Sequence, residues 1–205
     1  MYVCRKFNLN FSNMKKLSVL ISILLGFGSF AMAQNSYTVK SHDVVLSGTS
    51  NIHSWTANLA SLSGTVKSSD NLTYEGQIVA NGKSLKSSKG SVMDKIMHEA
   101  LKLDKFPVIS YKTMLRTKLF DCQNLPESIN IGYLTVAGIT NTLSIKAQCK
   151  LLANGSIELS GNFDVLMSDY GIEQPTALFG MLKTDNMVNV AFRIEFQKNK
   201  KSNLL

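Results

Sequence analysis

The sequence predicts an all-β protein: one antiparallel up-and-down barrel of about eight strands, with a single short amphipathic helix inserted between strands. Three observations predict it. From Ser36 onward apolar and polar side chains alternate with a period of two, the pattern of strands with one greasy face. Turn formers such as Asn154-Gly155 and Gly138 cut that alternation into short segments. Only residues 91–101 switch to helical spacing.

Before the barrel comes a leader. Arg5, Lys6, Lys15 and Lys16 form a basic region, residues 17–30 are uncharged, and Ala31-Met32-Ala33 is a small-residue cleavage site. Residues 1–33 are therefore read as a secretory signal cleaved after Ala33, with Met14 as an alternative start, and a periplasmic or secreted location is expected. The uncharged run falls short of the ~20 residues that a membrane-spanning helix needs, and no later stretch is longer, so no integral membrane protein is expected. Four of the 22 basic residues and none of the 14 acidic ones lie in this leader, so the formal charge of +8 falls to +4 without it. Lys198, Lys200 and Lys201 sit at and beyond the end of the barrel domain, taken as residues 34–197, in a polar tail over 198–205. No basic cluster with interleaved aromatics remains, and nucleic acid is not an expected partner.

Within the domain the clearest strand is 188–196, where Val188, Val190, Phe192, Ile194 and Phe196 alternate with polar or small residues. His53, Trp55, Ala57 and Leu59 share a face over 53–59, as do Leu143, Ile145 and Ala147. Further strands are read at 37–46, 72–80, 108–119, 129–136 and 157–165. The helix over 91–101 carries Met93, Ile96, Met97, Ala100 and Leu101 on one side, with Ser91 as its N-cap and Asp94 completing a weak capping box. It stops before Pro107. Its apolar stripe must cover either the open end of a barrel or an outer wall.

Cys4 leaves with the leader, so Cys122 and Cys149 are the two thiols that reach an oxidising compartment. With Gly138-Ile139 as a hairpin turn, Val136 faces Asn141 and Cys149 lies opposite Ser128, near the loop that carries Cys122. A disulfide is within reach, and two free thiols are the alternative.

No catalytic constellation is found. Ser41-His42-Asp43 has the residue types of a triad, but neighbours on a strand point to opposite faces and form no relay. His42, His53 and His98 lie in separate elements without metal-ligand spacing. Glycine-rich phosphate loops and nucleophile elbows are also missing, so neither an enzyme nor a cofactor is expected.

Several segments together resemble the YceI-like, polyisoprenoid-binding family of exported bacterial proteins, over residues 36–197. Tyr37-Thr38-Val39 with Gly48-Thr49-Ser50-Asn51-Ile52-His53-Ser54-Trp55 is similar to a branch with an S-x-x-H-x-W segment. Met93 through Lys102, followed by Phe106-Pro107-Val108-Ile109-Ser110-Tyr111, matches the family's helix and following strand. Leu134-Thr135-Val136-Ala137-Gly138-Ile139-Thr140 resembles its turn motif, and Ser168-Asp169-Tyr170-Gly171-Ile172 its S-D-F-G-I. The resemblance implies a lipocalin-like barrel that holds an isoprenoid chain, such as that of a quinone or polyprenyl lipid, inside. It makes non-enzymatic binding, storage or transport of a long apolar lipid the expected function. The alternative is a filled barrel, a structural or stress-response module acting through a protein partner. On the lipid reading, strand parity selects Trp55, Leu59, Ile78, Met97, Leu101, Ile109, Tyr111, Leu134, Phe163 and Phe192 as lining residues, with His53 or Tyr111 as a polar contact for a head group. The sequence leaves the oligomeric state open, a homodimer included.

Overall fold

The computed structural model describes residues 35–68, 73–115, 122, 127–177 and 181–199. The expected leader, the strand start at 72, the strand end at 116–119 and the tail from 200 lie outside the described residues. The chain runs through β1 (Asn35–Ser50), β2 (Ser54–Leu59), β3 (Leu62–Ser68), β4 (Tyr74–Asn81), the short β5 (Leu85–Ser87) and the helix α1 (Ser91–Ala100). It continues through β6 (Val108–Leu115), β7 (Glu127–Val136), β8 (Ile139–Leu151), β9 (Ile157–Leu166), the two-residue β10 (Thr176–Ala177) and β11 (Leu182–Lys198).

Long strands pair with their sequence neighbours in the order β1-β3-β4-β6-β7-β8-β9-β11, and β11 returns to β1 from Tyr37↔Lys198 to Ser50↔Thr184. This is a closed, eight-position antiparallel barrel, and closure leaves its long strands no free edge. β2 and β3 together fill one of the eight positions. Asn58 pairs with Val45 and Thr65 with Thr38 in one continuous register, so the two are halves of a single bent strand that leaves β1 in the middle. β3 goes unread in the sequence because Ser63, Gly64, Thr65, Lys67 and Ser68 dilute its alternation. β5 and β10 are extra strands, hung on β2 and β11.

On the outer face Glu195 fastens the β1–β11 seam. It accepts hydrogen bonds from Lys40 Nζ at 2.9 Å, Asn154 Nδ2 at 3.1 Å and Ser41 Oγ at 3.0 Å. With Lys40 foremost, and Ser156, Asn154 and Ser41 adding to it, these donors hold the Glu195 carboxyl at about 2. Ser41 is thereby committed to the outside of the wall.

Three local expectations are corrected. The β7–β8 turn is Ala137-Gly138, at φ 50 and 81, not Gly138-Ile139. Val136 therefore pairs with Ile139, and Ser128 pairs with Ala147 rather than with Cys149. A two-residue turn with two positive φ values suits glycine and excludes β-branched Ile139. The register moves by two residues, which keeps every side chain on its expected face. Asn154-Gly155 lies in a longer connection closed by Leu152 N–H on Ser156 O at 2.9 Å, not in a two-residue turn. Ser91 is the first helical residue, and Gly90 at φ 90 precedes it with no side-chain cap. Asp94 reaches backwards to accept the Ser87 N–H at 2.6 Å.

α1 ends in a paired capping motif, with Lys102 N–H on Glu99 O at 2.9 Å and Leu103 N–H on His98 O at 3.0 Å. Lys102 takes the left-handed position at φ 54, and the next side chain, Leu103, is fully buried. The helix is therefore stopped by its own cap, several residues before Pro107.

The core is divided along the barrel. At the end formed by the start of β1 and the end of β11, the interior is solid: Tyr37, Val66, Tyr74, Cys149, Ile157, Ile194 and Phe196 form one cluster. Cys122 packs on it and is joined to Cys149, with Cα atoms 5.0 Å apart.

Candidate ligand-binding cavity

Toward the opposite end the barrel is hollow, with a cavity of about 270 Å³. At roughly 30 Å³ per water-sized group, it accommodates on the order of nine such groups, a hydrocarbon segment of about that many methylenes.

Its floor is made by side chains that touch both halves. Leu62, Ile78 and Phe192 pack on the solid cluster and also line the cavity. Tyr111 joins them by lying across β7, where a Cβ at Gly132 would come within 2.6 Å of its hydroxyl oxygen. Phe192 lies over Gly161 in the same way, 3.1 Å from where a Cβ would stand. Both glycines face inward, and their missing side chains let aromatic rings close the tube crosswise. The Tyr111 hydroxyl donates to Asn130 O at 3.2 Å, and burial pushes its pKa up, with Thr113 opposing. That hydroxyl is occupied by the protein.

The walls are Val44, Leu59, Ala80, Ile109, Leu134 and Phe163, with further apolar side chains from β8, β9 and β11. Phe163 and Phe192 tilt against each other with centroids 6.2 Å apart. α1 forms the roof, placing Met93, Ile96, Met97, Ala100 and Leu101 on the cavity. The sequence left that stripe either to a barrel end or to an outer wall, and it covers the end. The roof is tied down on both sides. Asp94 and the His98 Nε2–H, which donates to Leu85 O at 2.9 Å, hold it to β5, while Lys102 Nζ donates to Gly171 O at 2.8 Å. The Ser87 N–H bond, aided by Lys86, lowers the Asp94 pKa.

All ten apolar or aromatic residues selected by parity border this space: Trp55, Leu59, Ile78, Met97, Leu101, Ile109, Tyr111, Leu134, Phe163 and Phe192. His53 does not. It lies in the exposed turn before β2, where strand parity no longer applies, and its carbonyl accepts the Ser50 N–H at 2.9 Å. Two groups of lining residues were missed. Val190 sits on a read strand, and its parity would have found it, whereas the irregularity between Val39 and Ser41 shifts the alternation of β1, so that Val44 rather than Val45 faces inward. Leu85, Met167, Tyr170 and Ile172 come from short or irregular segments without periodicity. Of these, Tyr170 and Ile172 had one signal, the Ser168–Ile172 motif: its short 3-10 turn and left-handed Gly171 bury both side chains. Burial, and then the charge of Asp169, raise the Tyr170 pKa.

Among the described residues, no Asp, Glu, Lys, Arg or His side chain belongs to the lining. Among the described residues no three metal-ligating side chains gather. Ser41 and His42 face opposite sides of β1, as alternation requires.

Fold and site together define a class: a closed antiparallel barrel with one solid end and one apolar, helix-roofed chamber. The profile of the YceI-like domain matches residues 35–196, and the chain belongs to that family. Three solved structures share the fold. A polyisoprenoid binding domain from Saccharophagus degradans, implicated in plant cell wall breakdown, is 15% identical, with 80% of this chain and 98% of that one covered at a TM-score of 0.65. Burkholderia cenocepacia BcnA is 12% identical, with 75% and 95% covered at 0.59. A Campylobacter jejuni YCEI protein is 15% identical, with 71% and 85% covered at 0.53. No curated protein matches the sequence.

Proposed function

We propose that this protein binds a long-chain apolar lipid inside the barrel, for storage or transport and without chemistry on it. The chain would be an isoprenoid, as in a quinone or polyprenyl lipid, or a fatty-acid-like tail. The observation that carries this reading is the chamber of about 270 Å³ with no charged side chain among the described residues of its lining. Each 100 Å² of hydrocarbon buried there contributes about 2.5 kcal/mol, so affinity needs few polar contacts. The polyisoprenoid-binding function of the Saccharophagus degradans neighbour supports the same reading. The filled-barrel alternative fits the solid end only.

The lining also orients the guest. The floor is hydrocarbon and aromatic, whereas Ser87, Thr184 and the indole of Trp55 lie toward the open end. A chain enters tail first and keeps its polar head at the mouth, because an unpaired charge in such a chamber costs several kcal/mol.

The proposed location is periplasmic or extracellular. The leader motif and the Cys122–Cys149 bond support it. N-terminal sequencing of the protein from its host tests this, with Gln34 as the expected first residue.

For the ligand, organic extracts of protein purified from the native host are analysed by mass spectrometry. Trp55, the single tryptophan, provides a second readout, since a short-chain quinone in the chamber quenches its fluorescence saturably. A co-purifying long-chain lipid and saturable quenching are expected. A clean extract together with unchanged fluorescence would refute the reading.

A further inference from the structure

Large apolar side chains exposed to solvent are concentrated around the mouth of the chamber. Ile52 is 63% exposed, Val92 71%, Met181 67% and Met187 55%, and Leu166, which lines the chamber, is 41% exposed. They come from the β1–β2 turn, the first turn of α1, the β10–β11 turn, β11 and the end of β9. These elements meet at one end of the barrel. Met187 pairs with Leu166, and Val92 precedes the lining residue Met93.

The rim is held outward by its own hydrogen bonds. Asn51 Nδ2 donates to Met181 O at 2.7 Å, and Lys183 N–H donates to Asn51 Oδ1 at 3.1 Å. Ser50 N–H and Oγ both donate to His53 O, at 2.9 and 2.8 Å, so the Ile52 turn is fixed in place. Lys89 and Lys183 stand three and two residues from Val92 and Met181 in the chain, and both are exposed, as is Asp185, whose carboxylate accepts from Thr49 Oγ1. Apolar tips flanked by ammonium groups match the boundary between acyl chains and phosphate head groups.

We infer that this rim docks the open end of the barrel onto a phospholipid bilayer, setting the chamber mouth against the acyl layer. The inference rests on the lipid-binding reading above, since a water-insoluble guest has its reservoir in a membrane. Docking lets a chain pass from bilayer to chamber without crossing water. The occupant of the rim is the bilayer itself, not a second copy of this chain.

The test is flotation of the full chain, after leader cleavage, with phosphatidylcholine vesicles containing phosphatidylglycerol. Wild-type protein floats with the vesicles. Ile52→Asp, Val92→Asp and Met181→Asp each lower the partition coefficient about tenfold, the effect of withdrawing roughly one side chain from the acyl boundary. The pair Ile129→Asp and Tyr133→Asp, exposed on the side of β7, leaves it unchanged. None of these five residues touches the chamber, so quenching of Trp55 by a short-chain quinone in vesicle-free buffer persists in every variant.

Wild-type protein that stays behind overturns the docking, as does equal loss from the β7 substitutions. Rim substitutions that instead turn a dimer into a monomer, with no vesicle binding, assign the rim to a second copy and also overturn it. Rim-dependent flotation without quenching leaves docking intact and removes the lipid-binding reading alone.

Discussion

The closed and open halves of this barrel are built from the same strands with the same alternation, yet one is solid and the other hollow. At the closed end Tyr37, Tyr74 and Phe196 meet across the axis, and a disulfide binds the wall. At the open end a cavity of about 270 Å³ lies between the walls, and a helix held by a few hydrogen bonds covers the space. A period of two decides which side chains face inward, whereas their size and the glycines between them decide whether the inside is full. Stability is therefore concentrated in one half, and room in the other.

If that division holds, Phe196→Ala costs about 3–5 kcal/mol in urea unfolding, because it opens a void in the solid half. Phe163→Ala, on the chamber wall, costs about 2 kcal/mol less, since its site already borders empty space. Equal costs would show that the halves do not differ in packing. Next in size is the disulfide. Cys122 and Cys149 are 27 residues apart, and replacing them with Ser and Ala removes about 3.5 kcal/mol of loop-closure stabilisation. Quinone quenching at the far end should survive this change at temperatures where the barrel stays folded.

Enlarging small residues separates the halves in another way. Ala147→Phe overpacks the closed half and destabilises by about 1–3 kcal/mol, whereas Ala100→Phe projects from the helix into the chamber and stays within about 1 kcal/mol of wild type. The second variant loses quinone quenching at least tenfold, and intact quenching would argue against the chamber as the binding place. The smallest effects are those of acid. Glu195 is held at about 2 against an ordinary 4.5, so its hold on the seam is complete above 4.5 and is lost as pH falls through about 2. Asp94 is also lowered, and its tether on α1 is lost in the same direction. Glu195→Gln should flatten the acid limb of the stability curve without changing exchange of the helix amides. Asp94→Asn should speed exchange over Ser91–Ala100 at neutral pH and leave that limb alone.

Much of this architecture was legible in the sequence. Strand alternation gave the barrel and the inward faces, and those faces survived even where the β7–β8 register was misread by two residues, because an even shift preserves parity. What escaped was set by tertiary contacts. β3 is held in place by its pairing with β1 and β4 rather than by its own polar-rich sequence. Leu85, Met167 and Tyr170 reach the chamber from segments whose direction no period describes. His53 lies outside the lining because it precedes the start of β2 by one residue, where alternation no longer sets the direction of a side chain. Emptiness itself was illegible, since a pattern of greasy and polar residues carries no volume.

On the proposed lipid-binding reading, Gly132 and Gly161, each crossed by an aromatic ring, would set how far down the tube a straight chain can travel. Depth thus works as a ruler. A tail that matches it is wholly sheltered, and every further methylene stays in water and contributes nothing to affinity. On that reading, discrimination by chain length would be written into two positions that have no side chain at all.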